Sequence, residues 1–148
     1  MTKKIEESTP LLENLACFSL YSAANAMVRA YRPVLDELDL TYPQYLAMLV
    51  LWSGDALNVK TLGEQLHMDS GTTTPLLKRM EAKGLVLRER CKQDERSCIV
   101  HLTQSGRDLK QQALKIPAAM GGKISITQEE GEKLKYLCDK LHDGLVAN

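Results

Sequence analysis

At 148 residues and 44% hydrophobic content, the chain is one domain by length, with enough apolar material for a core that folds unaided. Nineteen Lys/Arg balance nineteen Asp/Glu, so a uniformly polybasic nucleic-acid coat is excluded. No apolar run reaches membrane-spanning length and the start, MTKKIEESTP, lacks the apolar core of a signal peptide, which predicts a cytoplasmic protein with no membrane partner. In that compartment thiols stay reduced, so the four cysteines read as reactive or buried groups before they read as structural staples.

The first predicted element is a long helix from Leu11 to Arg32, starting after Ser8-Thr9-Pro10. Leu11, Leu15, Phe18 and Ser22 mark one face and Leu12, Ala16, Leu20, Ala23 and Met27 another. That apolar cover is broader than one side of a small domain uses, and it predicts a second chain packed against the helix. Next comes Leu40 to Trp52, apolar nearly all round and expected to be buried, with Thr41 as cap and Pro43 in its first turn. Thr61 is placed to cap a short helix over residues 62–66, Glu64 completing a capping box, with Leu62 and Leu66 on one side. After His67-Met68-Asp69, Ser70-Gly71 opens a second helix with apolar face Leu76, Leu77, Met80 and Leu85, Pro75 within about its first turn and Gly84 as its stop. Val86 to Arg90 and Cys98 to Leu102 alternate apolar and polar residues, as in a half-buried hairpin. A helix then runs through Leu109, Ala113 and Ile116 until Pro117 kinks or ends it, and Gly121-Gly122 opens a flexible connection. The last helix, from Ile124 to Leu145, carries Leu134, Leu137, Cys138, Leu141 and Leu145 at helical spacing.

Helix, turn, helix and hairpin in that order make a winged helix-turn-helix, whose second helix enters a major groove. The expected outward face of that helix holds Ser70, Thr72, Thr73, Thr74, Lys78 and Arg79: small hydrogen-bonding groups toward its N-terminus, cations further along. The hairpin tip, Arg90 to Ser97, is polar and includes Arg90, Lys92 and Arg96; read alone it is also what a solvated loop looks like. Between Lys60 and Arg107 there are nine Lys/Arg against six Asp/Glu, a modest positive bias.

The capped helix, the threonine-rich helix after it, K-R-M-E-x-K-G-L at Lys78 to Leu85 and the D-x-R of Asp94 and Arg96 resemble the MarR family of dimeric bacterial repressors. The resemblance implies a mainly α fold with a small β-hairpin wing. It implies a single MarR-type domain over 1–148, with a winged helix-turn-helix core at about 43–104 and dimerisation helices at about 10–39 and 105–146. The implied partners are a second copy of the chain and a pseudo-palindromic double-stranded DNA operator, since a two-fold dimer reads two half-sites. In the D-x-R motif Asp94 would brace Arg96 so that its guanidinium can reach into a narrow minor groove; the bland alternative is a surface ion pair of little energetic weight.

Read alone, Cys17 in LLENLACFSLYSA is a small hydrophobe on an apolar helix. Tyr31 lies fourteen residues on and Tyr42 twenty-five on, within L-T-Y-P-Q-Y-L. This Cys, Tyr, Tyr spacing is similar to the organic-hydroperoxide-sensing repressors within the MarR family. That resemblance implies that the cysteine of one subunit sits by both tyrosines of the other, whose hydroxyls favour the thiolate that attacks a peroxide. Fourteen residues span about 21 Å of helix, so Cys17 and Tyr31 of one straight helix do not touch, whereas antiparallel pairing across a dimer brings them together. Oxidation to a sulfenic acid would end repression. It would be resolved by a low-molecular-weight thiol or by a second cysteine, for which Cys138 is the candidate in the right half of the chain. Cys91 and Cys98 flank the wing tip, where they can sit opposite each other.

Other constellations fail. His67, His101 and His142 do not combine with Cys or carboxylates at metal spacing, and no phosphate-cradling or nucleophile-elbow motif is present, so neither metal, cofactor nor enzymatic turnover is expected. Three alternatives stay open: a repressor released by a phenolic or other small ligand with Cys17 only structural, a thiol peroxidase using Cys17, and a constitutive architectural DNA binder.

Overall fold

A computed structural model describes residues 9–94 and 96–147; what was expected of 1–8, Glu95 and Asn148 lies outside them. Among the described residues a 3-10 turn (Leu12–Asn14) leads into α1 (Ala16–Asp36) and α2 (Tyr42–Ser53). Then come β1 (Leu57–Asn58), α3 (Val59–Gln65), α4 (Ser70–Ala82), β2 (Val86–Arg90), β3 (Cys98–Leu102), α5 (Gln104–Ala113), α6 (Ile116–Gly121) and α7 (Gln128–Val146). The antiparallel sheet has the order β1-β3-β2, with Val86 opposite Leu102, Arg90 opposite Cys98 and Leu57 opposite Val100. The architecture is therefore mainly helical with a three-stranded wing. Two compact units are distinguished, one ending at Ile116 and one starting at Pro117. No described helix is long and apolar enough to cross a membrane.

In the first unit the core is Leu35, Leu38 and Leu40 with Tyr45, Ala47, Met48 and Leu51 of α2, Leu62 of α3, and Leu76, Leu77 and Met80 of α4. Val86, Val100 and Leu102 close it from the sheet. Thr41 caps α2 as expected, in a full capping box with Gln44. Gly84 also stops α4 as expected: in the left-handed region (φ 74°), it donates to the Glu81 carbonyl while Leu85 donates to Met80.

Several boundaries differ from those read in the sequence. The first helix begins at Ala16, after the 3-10 turn and an extended Leu15, and runs on through Pro33 to Asp36. Periodicity hid the break, because Leu11, Leu12 and Leu15 fit the apolar pattern either way. α3 is capped by Asn58, which accepts from the Lys60 N–H at 2.8 Å, so Thr61 lies inside the helix and makes no capping box with Glu64. Pro75 falls in the second turn of α4. α2 is buried on one side only, leaving Leu49 exposed, and Trp52 is half-buried with its indole N–H on the Gly106 carbonyl at 2.8 Å. The last helix starts at Gln128, where Thr127 and Glu130 form a capping box. The pair β1 had no signal of its own: two residues carry no alternation.

Two contacts fix how α3, α4 and the sheet sit on α2. Gly63 lies where α3 crosses α4, and a Cβ there would stand 2.9 Å from Thr73 Oγ1 and 3.0 Å from the Met68 carbonyl. Asp55, after α2, accepts from the N–H groups of Ala56 and Leu102 (each 2.8 Å) and from Arg107 at 3.0 Å, tying β3 and α5 to one carboxylate. Burial pushes Asp55 up, but those two N–H groups and the guanidinium together hold it below its ordinary 3.8.

Gly63→Ala is expected to destabilise the protein by about 1–3 kcal/mol in urea unfolding, because the added methyl overpacks a crossing with backbone on one side. Asp55→Ala should cost about 1–3 kcal/mol at neutral pH by stranding the Leu102 N–H. A depressed carboxylate stabilises the fold above its unfolded value and loses that contribution as pH falls through the folded one. The gap between Asp55→Ala and the parent should therefore shrink when unfolding is repeated below pH 3.8.

Candidate functional site

The outward N-terminal end of α4 is built by its cap. Asp69 Oδ1 accepts from the Thr72 N–H at 2.9 Å, and Ser70, Gly71 and Thr72 are exposed on the first turn that it caps. Thr74 is half-buried, and Lys78 and Arg79 are exposed further along. Thr73 corrects the predicted face: it is fully buried, and its hydroxyl donates to the Asp69 carbonyl at 2.8 Å. It belongs to the α3–α4 seam against Gly63, because threonine's short side chain satisfies its own hydroxyl locally.

The wing root is attached to this helix. Glu81 Oε2 accepts from the Arg88 N–H at 2.9 Å, and that N–H, then the guanidinium, hold the Glu81 carboxyl below its ordinary 4.5. At the tip Asp94 meets Arg96 through the main chain of that arginine. Its Oδ1 accepts from the Arg96 backbone N–H at 3.0 Å and its Oδ2 from the Ser97 hydroxyl at 3.3 Å. The carboxylate thus shapes the turn and leaves the exposed Arg96 side chain to reach outward. Arg90 and Lys92 are exposed on the same tip. Between wing and helices lies a cleft of about 590 Å³, bordered by Asn58, Lys60, Ser70, Thr74, Arg96 and Cys98. Glu64 and Asp69 line it too, so the surface is of mixed charge, and its hydroxyls and two cations are the groups suited to a phosphate backbone with base edges beside it.

The second group of residues sits at the other end of the unit. Tyr31 of α1 and Tyr42 of α2 have ring centroids 4.9 Å apart, and Tyr45, which the sequence reading passed over, lies 5.9 Å from Tyr31. Its signal was available, since Tyr45 follows Tyr42 at helical spacing in Y-P-Q-Y. Burial pushes the Tyr42 phenol above its ordinary 10, with Tyr31 adding to it; burial, Tyr31 and Tyr42 move Tyr45 the same way. At neutral pH both are protonated donors.

Cys17 is exposed, the second residue of α1. α1 is unbroken between it and Tyr31, so the two are about 21 Å apart along the axis and one chain does not bring them together. Cys138, on α7, is of intermediate exposure on a helix with no buried residue. Cys91 and Cys98 are not opposite each other: Cys98 pairs with Arg90, while the Cys91 N–H donates to Ser97 O at 2.8 Å. The two cysteines are thus offset by one rung across the hairpin. His101 is half-covered on β3, 3.4 Å from Glu89 across the ladder.

The sequence and the fold have known counterparts. A family model described as Transcriptional regulator SarA/Rot matches residues 29–113. The chain is 49% identical over 131 residues to the organic hydroperoxide resistance transcriptional regulator of Bacillus subtilis (strain 168), an alignment covering 88% of this chain and 87% of that protein. Its fold is similar to that of reduced AbfR bound to DNA, with a TM-score of 0.78 and 32% identity over 92% of this chain and 93% of that one. MarR shares the fold at a TM-score of 0.71 and 22% identity, over 90% of this chain and all of its own.

Thr73→Val should lower stability by about 1 kcal/mol in chemical denaturation, through loss of the hydroxyl bond to Asp69. Thr74→Val, on the half-buried neighbour, should leave the unfolding midpoint within the spread of ordinary surface changes, about 0.5 kcal/mol.

Proposed function

This chain belongs to the MarR family of winged-helix transcriptional regulators, in its organic-hydroperoxide-resistance group, and on that footing we propose that it is a cytoplasmic repressor released from its operator when an organic hydroperoxide oxidises Cys17. The observation that carries the reading is the pairing of two phenols, Tyr31 and Tyr42, next to an α1 whose remaining length is bare and bears an exposed sulfur.

The protein acts as a homodimer. Within this chain only Leu35 of α1 is buried, while Phe18, Leu20, Met27 and Val28 are exposed on it. On α7 Leu134, Leu137, Leu141 and Leu145 are exposed as well. Apolar cover of that extent on two helices fits an interface with a second copy. Antiparallel pairing of α1 with its partner's α1 sets Cys17 of one subunit beside Tyr31 and Tyr42 of the other. Their hydroxyls then donate to the sulfur and favour its anion, and the leucines and Phe18 around it favour an alkyl peroxide over a small polar oxidant.

The thiolate attacks one peroxide oxygen, the O–O bond breaks, and the electron pair leaves on the other oxygen. Protonation of that oxygen gives an alcohol, and Cys17 becomes a sulfenic acid. The sulfur loses its charge and with it the hydrogen bonds that held the tyrosines. A low-molecular-weight thiol, or Cys138, then condenses with the sulfenic acid and expels water. Movement of the tyrosine turn alters the spacing of the two α4 helices, and the pseudo-palindromic operator no longer fits both. On DNA, the α4 face of Ser70, Thr72, Thr74, Lys78 and Arg79 occupies the major groove, and Arg90, Lys92 and Arg96 of the wing hold the backbone and minor groove. Asp94 shapes the wing turn, and the buried Thr73 takes no part in contact.

A second reading, release by a phenolic or other small ligand, is favoured by one feature: a cavity of about 200 Å³ between α1 and α2, bordered by Val28, Arg32, Leu35, Leu40 and Tyr42. It is smaller than the roughly 300–1,000 Å³ common for ligand sites, so it ranks behind the thiol.

Operator binding by the parent should weaken at least tenfold, about 1.4 kcal/mol, after treatment with cumene hydroperoxide. Cys17→Ser should bind as the reduced parent does and ignore the oxidant; release that persists in this variant would refute the sensor assignment and select the ligand reading. Lys78→Ala and Arg96→Ala should each weaken binding nearly uniformly across sequences and reduce the salt slope by about one, measured by titration at several salt concentrations.

A further inference from the structure

Lys83 is the C-cap of α4, where a cation ordinarily sits in solvent near the negative end of the helix. Here its side chain is only 29% exposed and turns away from the DNA face toward the α1–α2 turn. Its Nζ donates to the Asp39 main-chain oxygen at 2.5 Å and to Gln44 Oε1 at 3.0 Å, with an Asp39 carboxylate oxygen at 3.6 Å. Gln44 is buried, 2% exposed, and the same Oε1 accepts from the Thr41 N–H at 3.1 Å to close the cap of α2. Asp39 is held in the left-handed region (φ 53°), and Leu40 donates back to Leu35 to end α1. One ammonium therefore joins the C-cap of the reading helix to the turn that carries Tyr42, between Thr41 and Gln44.

A plain surface ion pair would not carry a signal, since exposed pairs are worth little. This one differs in two ways. Two of its contacts are charge-assisted hydrogen bonds, and one acceptor is a buried side chain already committed to a helix cap. If the first turn of α2 is displaced, Gln44 Oε1 moves with it, and Lys83 either follows or loses a partner. Both outcomes act on the C-terminal end of α4, whose N-terminal end faces the groove.

We propose that Lys83 is a positioning residue that couples the tyrosine turn to the reading helix, so that oxidation at Cys17 is transmitted to α4 through the Lys83–Gln44 contact. The inference rests on the sensor reading above and assigns its path. Coupling is measured as the factor by which oxidation weakens operator binding.

The test compares that factor in the full-length parent, Lys83→Met, Lys83→Arg and Cys17→Ser, with cumene hydroperoxide as oxidant. Sulfenic acid is followed by trapping with a 1,3-dicarbonyl and mass spectrometry. Lys83→Met should oxidise at the parent's rate and bind the operator within about threefold of the parent when reduced. Its release factor should fall at least threefold below the parent's, while Lys83→Arg, which keeps a cation and donors, restores most of it. A purely structural lysine would change reduced binding or melting temperature and leave the factor alone. Should Met at this position lower the melting temperature, Lys83→Gln is the second variant, with the same expectation. A parent-like factor in a folded, uncharged variant overturns the role of Lys83 and leaves the sensor standing, provided Cys17→Ser stays silent. A response persisting in Cys17→Ser overturns the sensor reading and this path with it.

Discussion

The constraint behind this molecule is the exposure of its first helix. In water a helix with Phe18, Leu20, Met27 and Val28 on its surface and one buried residue in twenty-one is covered by something or aggregates. Each extra turn of α1 beyond the core at Leu35 adds apolar surface that the chain's own winged unit does not meet. Cys17 stands at the far end of that stretch and Tyr31 and Tyr42 at the near end. In the proposed sensor the site is therefore shared between two chains, and neither half of it works without the contact that hides the helix.

The reading head has the opposite character, being complete within one chain. Gly63 lets α3 and α4 approach until Thr73 is enclosed, Glu81 ties the root of the wing to α4, and Asp55 binds the end of β3 and the first turn of α5 to the end of α2. The last two contacts are short, directional and made by carboxylates that accept with both oxygens. They leave the orientation of α4 little freedom relative to its own wing. In the proposed dimer a shift between the two heads is then a movement of whole units rather than a rearrangement inside one.

Much of this was legible in the residues, for reasons that differ by element. The wing strands were found to the residue because alternation in Val86–Arg90 and Cys98–Leu102 is period two and ends in polar tip residues. The caps at Thr41 and Gly84 were found because each has a single physical role. The reading failed where two patterns coincide. Leu11, Leu12 and Leu15 fit a helix whether or not the chain is helical there, and Thr73 looks like its neighbours Thr72 and Thr74 although a helix turns it inward. Asp94 meets Arg96 at its main-chain N–H, and sequence spacing does not distinguish a main-chain donor from a side-chain one. Gly63 carried a signal that went unused: glycine inside a helix costs stability, so a packing reason was to be sought. Lys83 and Gln44, thirty-nine positions apart, gave none.

The register of the hairpin also settles how its two cysteines stand. Cys98 faces Arg90 and the Cys91 N–H closes on Ser97 O, so the two residues are offset by one rung. Setting them directly opposite each other would take a slip of one residue, and such a slip turns every side chain of a strand over to the other face. Val86 would be lifted out of the core by it, away from Val100 and Leu102. The same packing that holds the wing to its helices therefore keeps its two thiols from facing each other.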